Sequence, residues 1–305
     1  MNLVRNAQNG KYRMENINQW SRLGYSVLFL IGNFLIVVVP LLLPLIPLLI
    51  FVIILPIVIF IISIYFLKKE NLIKHFHVSF AFFIGSFTYT VHLFVVAFIL
   101  NVYLPDSQFR VAYWTLFSTL VVMTSIIVWV KISNKISSKI AGKIPGDEEM
   151  ASLDSLYLKK GNLRLGIITG VALFAFVFAI QIIMANTIYN AKNVTWGDAI
   201  LWAPWIYSFS FANAFREELW SRGLAMKRTE RYVGKHAAVV IQALPFALAH
   251  FTATYTPDIW FFVILTFGLG VLWGSLMQWT DSMISPVLSH AAIDIPIALS
   301  YFSNY

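Results

Sequence analysis

Six ionisable side chains in the C-terminal third of this 305-residue chain form three groups at helical spacing: Glu217, Glu218 and Arg222; His250, four residues after Phe246; and His290 with Asp294. Each group interrupts an apolar stretch, where an ionisable side chain is costly and usually functional. Residues four apart share a helix face, so Glu218 can pair with Arg222 and His290 with Asp294, while Phe246 sits one turn before His250. A paired Arg222 holds Glu218 charged and in place, leaving the adjacent Glu217 aimed elsewhere as the candidate general base. Two histidines and an acid on facing helices can orient a water, stabilise the oxyanion formed when it attacks a carbonyl, or bind a divalent metal such as zinc through Glu217, His250 and His290. That is the composition of a hydrolytic site inside a membrane.

Each group also has a plainer explanation. Glu217, Glu218 and Arg222 alone would be an interfacial salt-bridge cluster, and a lone His250 or His290 an interhelical hydrogen-bonding residue. His92, in an apolar span without an acidic neighbour, reads as polar glue. Glu148 and Glu149 lack an Arg at the matching distance and sit in a polar segment, so they are set aside. The stretch from Gly268 to Gly274 reads as a close-packing helix surface and not as a phosphate cradle.

The elements that must position these groups are membrane helices. With 59% hydrophobic and 12% charged residues, the chain lacks the polar residues to cover a water-exposed surface. The expected fold is an all-α polytopic transmembrane bundle of nine spans, near 23–43, 47–67, 78–103, 111–131, 164–189, 199–226, 235–253, 258–279 and 283–302. The close trio Pro40, Pro44 and Pro47 predicts a hairpin near Leu43 to Pro47. Three regions follow: a four-span membrane region over 1–131, a cytoplasmic loop or surface-lying amphipathic helix over 132–163, and a membrane core over 164–305 that carries every chemical group.

The net charge of +8 does not indicate nucleic acid, because most basic residues fall in short connections between spans. Arg5, Lys11, Arg13 and Arg22 precede the first span; Lys68, Lys69 and Lys74 follow the second; Lys131 to Arg164 supply seven more; Lys227, Arg228, Arg231 and Lys235 follow the sixth. Connections of opposite parity hold only Arg110 and Lys192, which predicts a cytoplasmic N-terminus. The apolar run behind the basic N-terminus is too long for a signal-peptide core, so no cleaved signal is expected. Absence of cysteine removes disulfides and thiolate chemistry. Counted at 1.5 Å per residue from the cytoplasmic ends of their spans (Lys227, Lys235 and Asp281), Glu217 lies about 15 Å, His290 about 14 Å, Asp294 about 20 Å and His250 about 22 Å deep, so the groups converge in a cavity opening to the cytoplasm.

The ordered motifs E-E-x-x-x-R at Glu217 to Arg222, F-x-x-x-H at Phe246 to His250 and H-x-x-x-[N/D] at His290 to Asp294 resemble the CPBP (Abi) family, which includes the type II CAAX prenyl endopeptidases and bacterial relatives. The flanks are similar too: Arg222-Gly223, L-P-F-A-L-A-H over Leu244 to His250, and a Gly-rich span before Asp281. The resemblance spans about Ile200 to Tyr305. It implies that Glu217 activates the water, that His250, His290 and position 294 surround it, and that Glu218 and Arg222 are the supporting pair. Asp294 stands where many members have Asn, adding negative charge beside His290; a metal-dependent and a metal-free glutamate mechanism both stay open. H-E-x-x-H, G-x-S-x-G and an intraspan Gly-Asp motif are missing.

The expected function is hydrolysis of a membrane-embedded or lipid-linked peptide near the cytoplasmic face, within the lipid bilayer and without nucleic acid. The family association extends to a bacterial plasma-membrane protein in peptide maturation or bacteriocin self-immunity. The rivals are a non-proteolytic scaffold that keeps the fold and a proton-coupled transporter; the lack of an internal repeat weighs against the second.

Overall fold

The computed structural model of the protein describes residues 18–69, 72–94, 109–141, 153–183 and 195–303. These residues are helical, without strands. The helices are α1 Gln19–Val37, α2 Leu45–Leu67, α3 Phe76–Val91, α4 Arg110–Ala141, α5 Leu163–Ile183, α6 Trp196–Glu218, α7 Met226–Val233, α8 Lys235–Ala249, α9 Ile259–Thr280 and α10 Ile284–Ser303. The N-terminal basic segment before Asn18, the Glu148-Glu149 pair and Lys192 lie outside the described residues.

The protein is a multi-pass membrane bundle. Among the described residues six helices, α1, α2, α4, α5, α9 and α10, are long and apolar enough to cross a membrane. The described part of α3 and the whole of α8 are short, with 16 and 15 residues, and α6 carries the polar residues of the site. The proline-rich break comes at Leu43 and Pro44, where extended backbone caps α2; Pro56 stays inside that helix.

Two expected spans differ in detail. The stretch 199–226 is broken: α6 ends at Glu218, a π-turn covers Leu219–Gly223, and the short α7 follows. The stretch 235–253 stays helical only to Ala249, so His250 caps α8 and begins a 3-10 turn over His250–Thr252. Gly234, at φ 88° and ψ 166°, turns the chain between α7 and α8 in a conformation that a side chain disfavours.

The segment expected over 132–163 as a loop or a surface-lying helix has two parts where it is described. Helix α4 runs on to Ala141, well beyond the expected end at 131. Residues 153–162 form a strap docked against the bundle, with Ser155, Leu156 and Tyr157 buried. Its backbone is tied in register: Met283 N–H donates to Tyr157 O at 3.2 Å and Asn162 N–H to Thr280 O at 2.8 Å. Arg228 of α7 donates to Ser155 Oγ at 2.7 Å.

Burial orders the bundle. Helix α2 is exposed along most of its length on the outside of the bundle, whereas α10 is mostly buried and is the central post. Helix α10 packs most extensively on α5 and α6, α8 on α9, and α4 on α6. One apolar core joins α1, α3 and α4 to α7, α8 and the π-turn; the other joins α6, α9 and α10. The ionisable groups lie where the two cores meet.

Candidate active site

Local sequence rules fix the approach of α6 to the site. Thr195 and Asp198 form a reciprocal capping box, each side chain accepting the other's backbone N–H at 3.2 Å. At the other end the π-turn inserts one residue, so that Leu224 N–H reaches back to Leu219 O at 3.0 Å. Glu217 and Glu218 therefore stand at the last turn of a regular helix, with Arg222 in the widened turn behind them.

Arg222 and Glu218 are both fully buried and pair through Nη1 and Oε1 at 2.6 Å. The same Oε1 accepts from His290 Nδ1 at 2.8 Å. The rest of the Arg222 guanidinium lies over aromatic rings, 4.5 Å from the Phe246 centroid and 5.4 Å from that of Trp273. Aromatic faces thus take the place of solvent around a buried cation. Gly270 makes the approach possible, because a Cβ there would sit 3.2 Å from Arg222 Nη2 and 3.1 Å from Ala243 Cβ. The Gly-rich stretch of α9 is in this sense a packing surface, as its sequence indicates.

His250 is held by its place at a helix end. Its own N–H tightens to Ala247 O and Leu248 O, which frees Phe246 O to accept from the imidazole Nδ1 at 2.8 Å. His290 is held by Glu218 on one edge and by Trp273 on its face, the two rings 3.8 Å apart at 10°. Nδ1 of each histidine is therefore committed to an acceptor, and Nε2 of each turns inward.

Both Nε2 atoms face Glu217. Its Oε2 lies 3.6 Å from His290 Nε2 and 4.0 Å from His250 Nε2. That oxygen is buried and makes no hydrogen bond to the protein, an arrangement that a bound water or other small polar group would complete. Glu217 and His250 keep about 20% of their side-chain surface exposed, against 4% for His290, so the site is reached from the Glu217 and His250 side. Asp294 stands one turn from His290, its Oδ1 3.9 Å from Nε2.

All six residues singled out in the sequence meet in one place. Three further residues belong with them. Asn213 donates from Nδ2 to Asp294 Oδ2 at 3.1 Å, and Arg216 donates to Asn213 Oδ1 and approaches Glu217 Oε1 at 3.5 Å. Trp273 is the third. Arg216 adjoins Glu217 directly, and Asn213 precedes Glu217 by one turn, so the face of α6 marked by Glu217 held the signal for both. Nothing in the spacing distinguishes Trp273 from the other aromatic residues of α9.

The donor set of one carboxylate and two imidazoles has the composition of a catalytic zinc site. As arranged, no three of these side chains form a group able to hold a metal ion among the described residues.

Residues 199–296 match the family described as Rce1-like: type II CAAX prenyl endopeptidase Rce1-like. Over this segment, about a third of its length, the chain is similar to that family. The Rce1-like segment begins in α6, ends in α10 and contains every residue of the three motifs. It supports a CAAX-type intramembrane endopeptidase in general terms. The Rce1-like match leaves α1 to α5 outside. No curated protein and no solved structure matches the chain.

Proposed function

We propose that this protein hydrolyses a peptide bond in a membrane-associated substrate, with Glu217 as general base. The observation that carries the reading is the buried Glu217 Oε2, without a hydrogen bond and facing two imidazole Nε2 atoms at 3.6 and 4.0 Å. A water between these three atoms is the reacting nucleophile. Glu217 takes its proton, the water oxygen bonds to the carbonyl carbon, and a tetrahedral oxyanion forms.

The histidines have one free nitrogen each for this work. An unprotonated Nε2 accepts from the water and orients it; a protonated Nε2 donates to the oxyanion. Glu217 then returns the proton to the peptide nitrogen, the C–N bond breaks, and an amine and a carboxyl product leave. Glu218 and Arg222 touch no reacting atom in this scheme and hold His290 in orientation. Asp294 contributes a second carboxylate near His290 Nε2. Were Glu217, His250 and His290 to draw together on a divalent cation, that ion would supply Lewis acidity.

The substrate is a membrane-embedded peptide or a lipid-linked tail, reached from the cytoplasmic face with the N-terminus on that side. The positive connections around α7 support this side.

The test compares wild type with Glu217→Gln, both purified in detergent, on a library of membrane peptides read by mass spectrometry. Products from wild type that vanish in the variant support the reading, and a chelator arm reads whether a divalent cation takes part. No product from folded wild type points to a scaffold.

A further inference from the structure

Arg216 is the one charged residue of the site that no motif contains, and its environment is built by helices outside the Rce1-like segment. Its Nη1 donates to Ser118 Oγ of α4 at 2.8 Å. Ser118 Oγ is also 2.9 Å from Nδ1 of His92, the residue that caps α3. Ser118 Oγ thus accepts from the guanidinium and is hydrogen-bonded to His92 at the same time. The Trp114 ring lies 5.5 Å from the Arg216 guanidinium and meets His92 edge to face at 5.2 Å. A second bond, Thr119 Oγ1 to Ala212 O at 2.9 Å, binds α4 to α6 one turn before Arg216.

On its other side Arg216 faces two carboxylates. It approaches Glu217 Oε1 at 3.5 Å and reaches Asp294 through Asn213. Glu217 thus has two differently engaged oxygens: Oε1 toward the guanidinium and Oε2 toward the histidines. A guanidinium offers five donors in a planar fork, so serine, asparagine and glutamate can be held at once. A chain of contacts runs from α3 and α4 to the proposed general base.

We infer that α3 and α4 complete the active site by anchoring Arg216, a positioning residue that turns Glu217 Oε2 toward His250 and His290 and balances the charge of Glu217 and Asp294. His92 is then more than the polar glue that its sequence context indicates. The inference rests on Glu217 as the base.

Two readouts test it on the full-length protein in detergent, with folding checked by gel filtration. The first is kcat and KM of wild type, Arg216→Gln, Arg216→Lys, Ser118→Ala and the Ser118→Ala/Arg216→Gln pair. Misplacement of a catalytic group by about 1 Å can cost about 100-fold in rate. A fall of about that size in kcat for Arg216→Gln, with KM within about threefold, is expected on that basis. Arg216→Lys recovers part of it, and Ser118→Ala has little further effect once Arg216 is gone.

The second readout needs no substrate: carbodiimide labelling of Glu217, followed by mass spectrometry. Its rate changes at least severalfold in Arg216→Gln and in Ser118→Ala and moves back in Arg216→Lys. Wild-type kcat and labelling in Arg216→Gln, or independent multiplying effects of Ser118→Ala and Arg216→Gln, would overturn the inference. If wild type cleaves nothing, the peptidase reading fails while the labelling still decides whether α4 positions Glu217 through Arg216.

Discussion

His290 lies face to face with Trp273, the ring centroids 3.8 Å apart and the planes within 10°. Glu218 fixes the edge of the imidazole, and the indole fixes its plane. Trp273→Ala is therefore expected to cost about 3–5 kcal/mol of stability as a buried large-to-small change, and to lower kcat further in whatever folded enzyme remains. Trp273→Phe keeps an aromatic face and stays much closer to wild type. Thermal unfolding in detergent and steady-state kinetics on the two variants read this difference.

The buried pair of Arg222 and Glu218 separates stability from activity. Arg222→Met takes the cationic partner from a fully buried carboxylate and leaves it only His290 Nδ1, a change expected to cost about 3–5 kcal/mol. Glu218→Leu with Arg222→Met removes both charges and recovers much of that loss. Activity does not return, because His290 Nδ1 has lost its acceptor. Recovery of both in the double variant would sink the orienting role of Glu218.

Asp294 accepts from Asn213 with one oxygen and faces His290 with the other. Asparagine can present its amide oxygen to Asn213, so Asp294→Asn is expected to stay within about tenfold of wild-type kcat, a modest loss for one altered polar contact. Asp294→Ala leaves Asn213 Nδ2 buried without its acceptor and falls well below that. Parallel kinetics with matched expression give the comparison.

Gly270 is tested by the smallest possible change. A Cβ there meets Ala243 Cβ at 3.1 Å and Arg222 Nη2 at 3.2 Å. Gly270→Ala is expected to push α9 from α8 and displace Arg222, at about 1–3 kcal/mol for overpacking. Gly268→Ala, where nothing lies within 4 Å, is the control and leaves stability unchanged or slightly raised. Equal melting temperatures for the two variants would contradict the packing described.

Pairing within a helix was legible, because four-residue spacing on α6, α8 and α10 is a local property. Glu218 with Arg222 and Phe246 with His250 follow from it directly. The pairing of His290 with Asp294 is looser, at 3.9 Å, because Glu218 from another helix holds the imidazole instead. Contacts between helices had no such signature: Ser118 and Arg216 are 98 residues apart and meet only after α4 packs on α6. The π-turn and the end of α8 at His250 also escaped, since both arise where tertiary contacts outweigh a uniform apolar pattern. Net apolarity called for membrane helices, and hydropathy alone could not say that 153–162 would fold back.

That strap alters where this protein can be divided. Gly161 sits at φ 52°, and a side chain there would lie 2.3 Å from Asp281 O, so the strap is seated against the turn between α9 and α10 too closely for any residue but glycine. Arg228, Thr280, Ser282 and Met283 all bond to it. A fragment cut at Leu163 would carry the three motifs and lack part of its own floor. The smallest transplantable piece that includes that floor begins at Leu153, and by the contacts of Arg216 even that piece would still need α3 and α4 supplied from a second polypeptide.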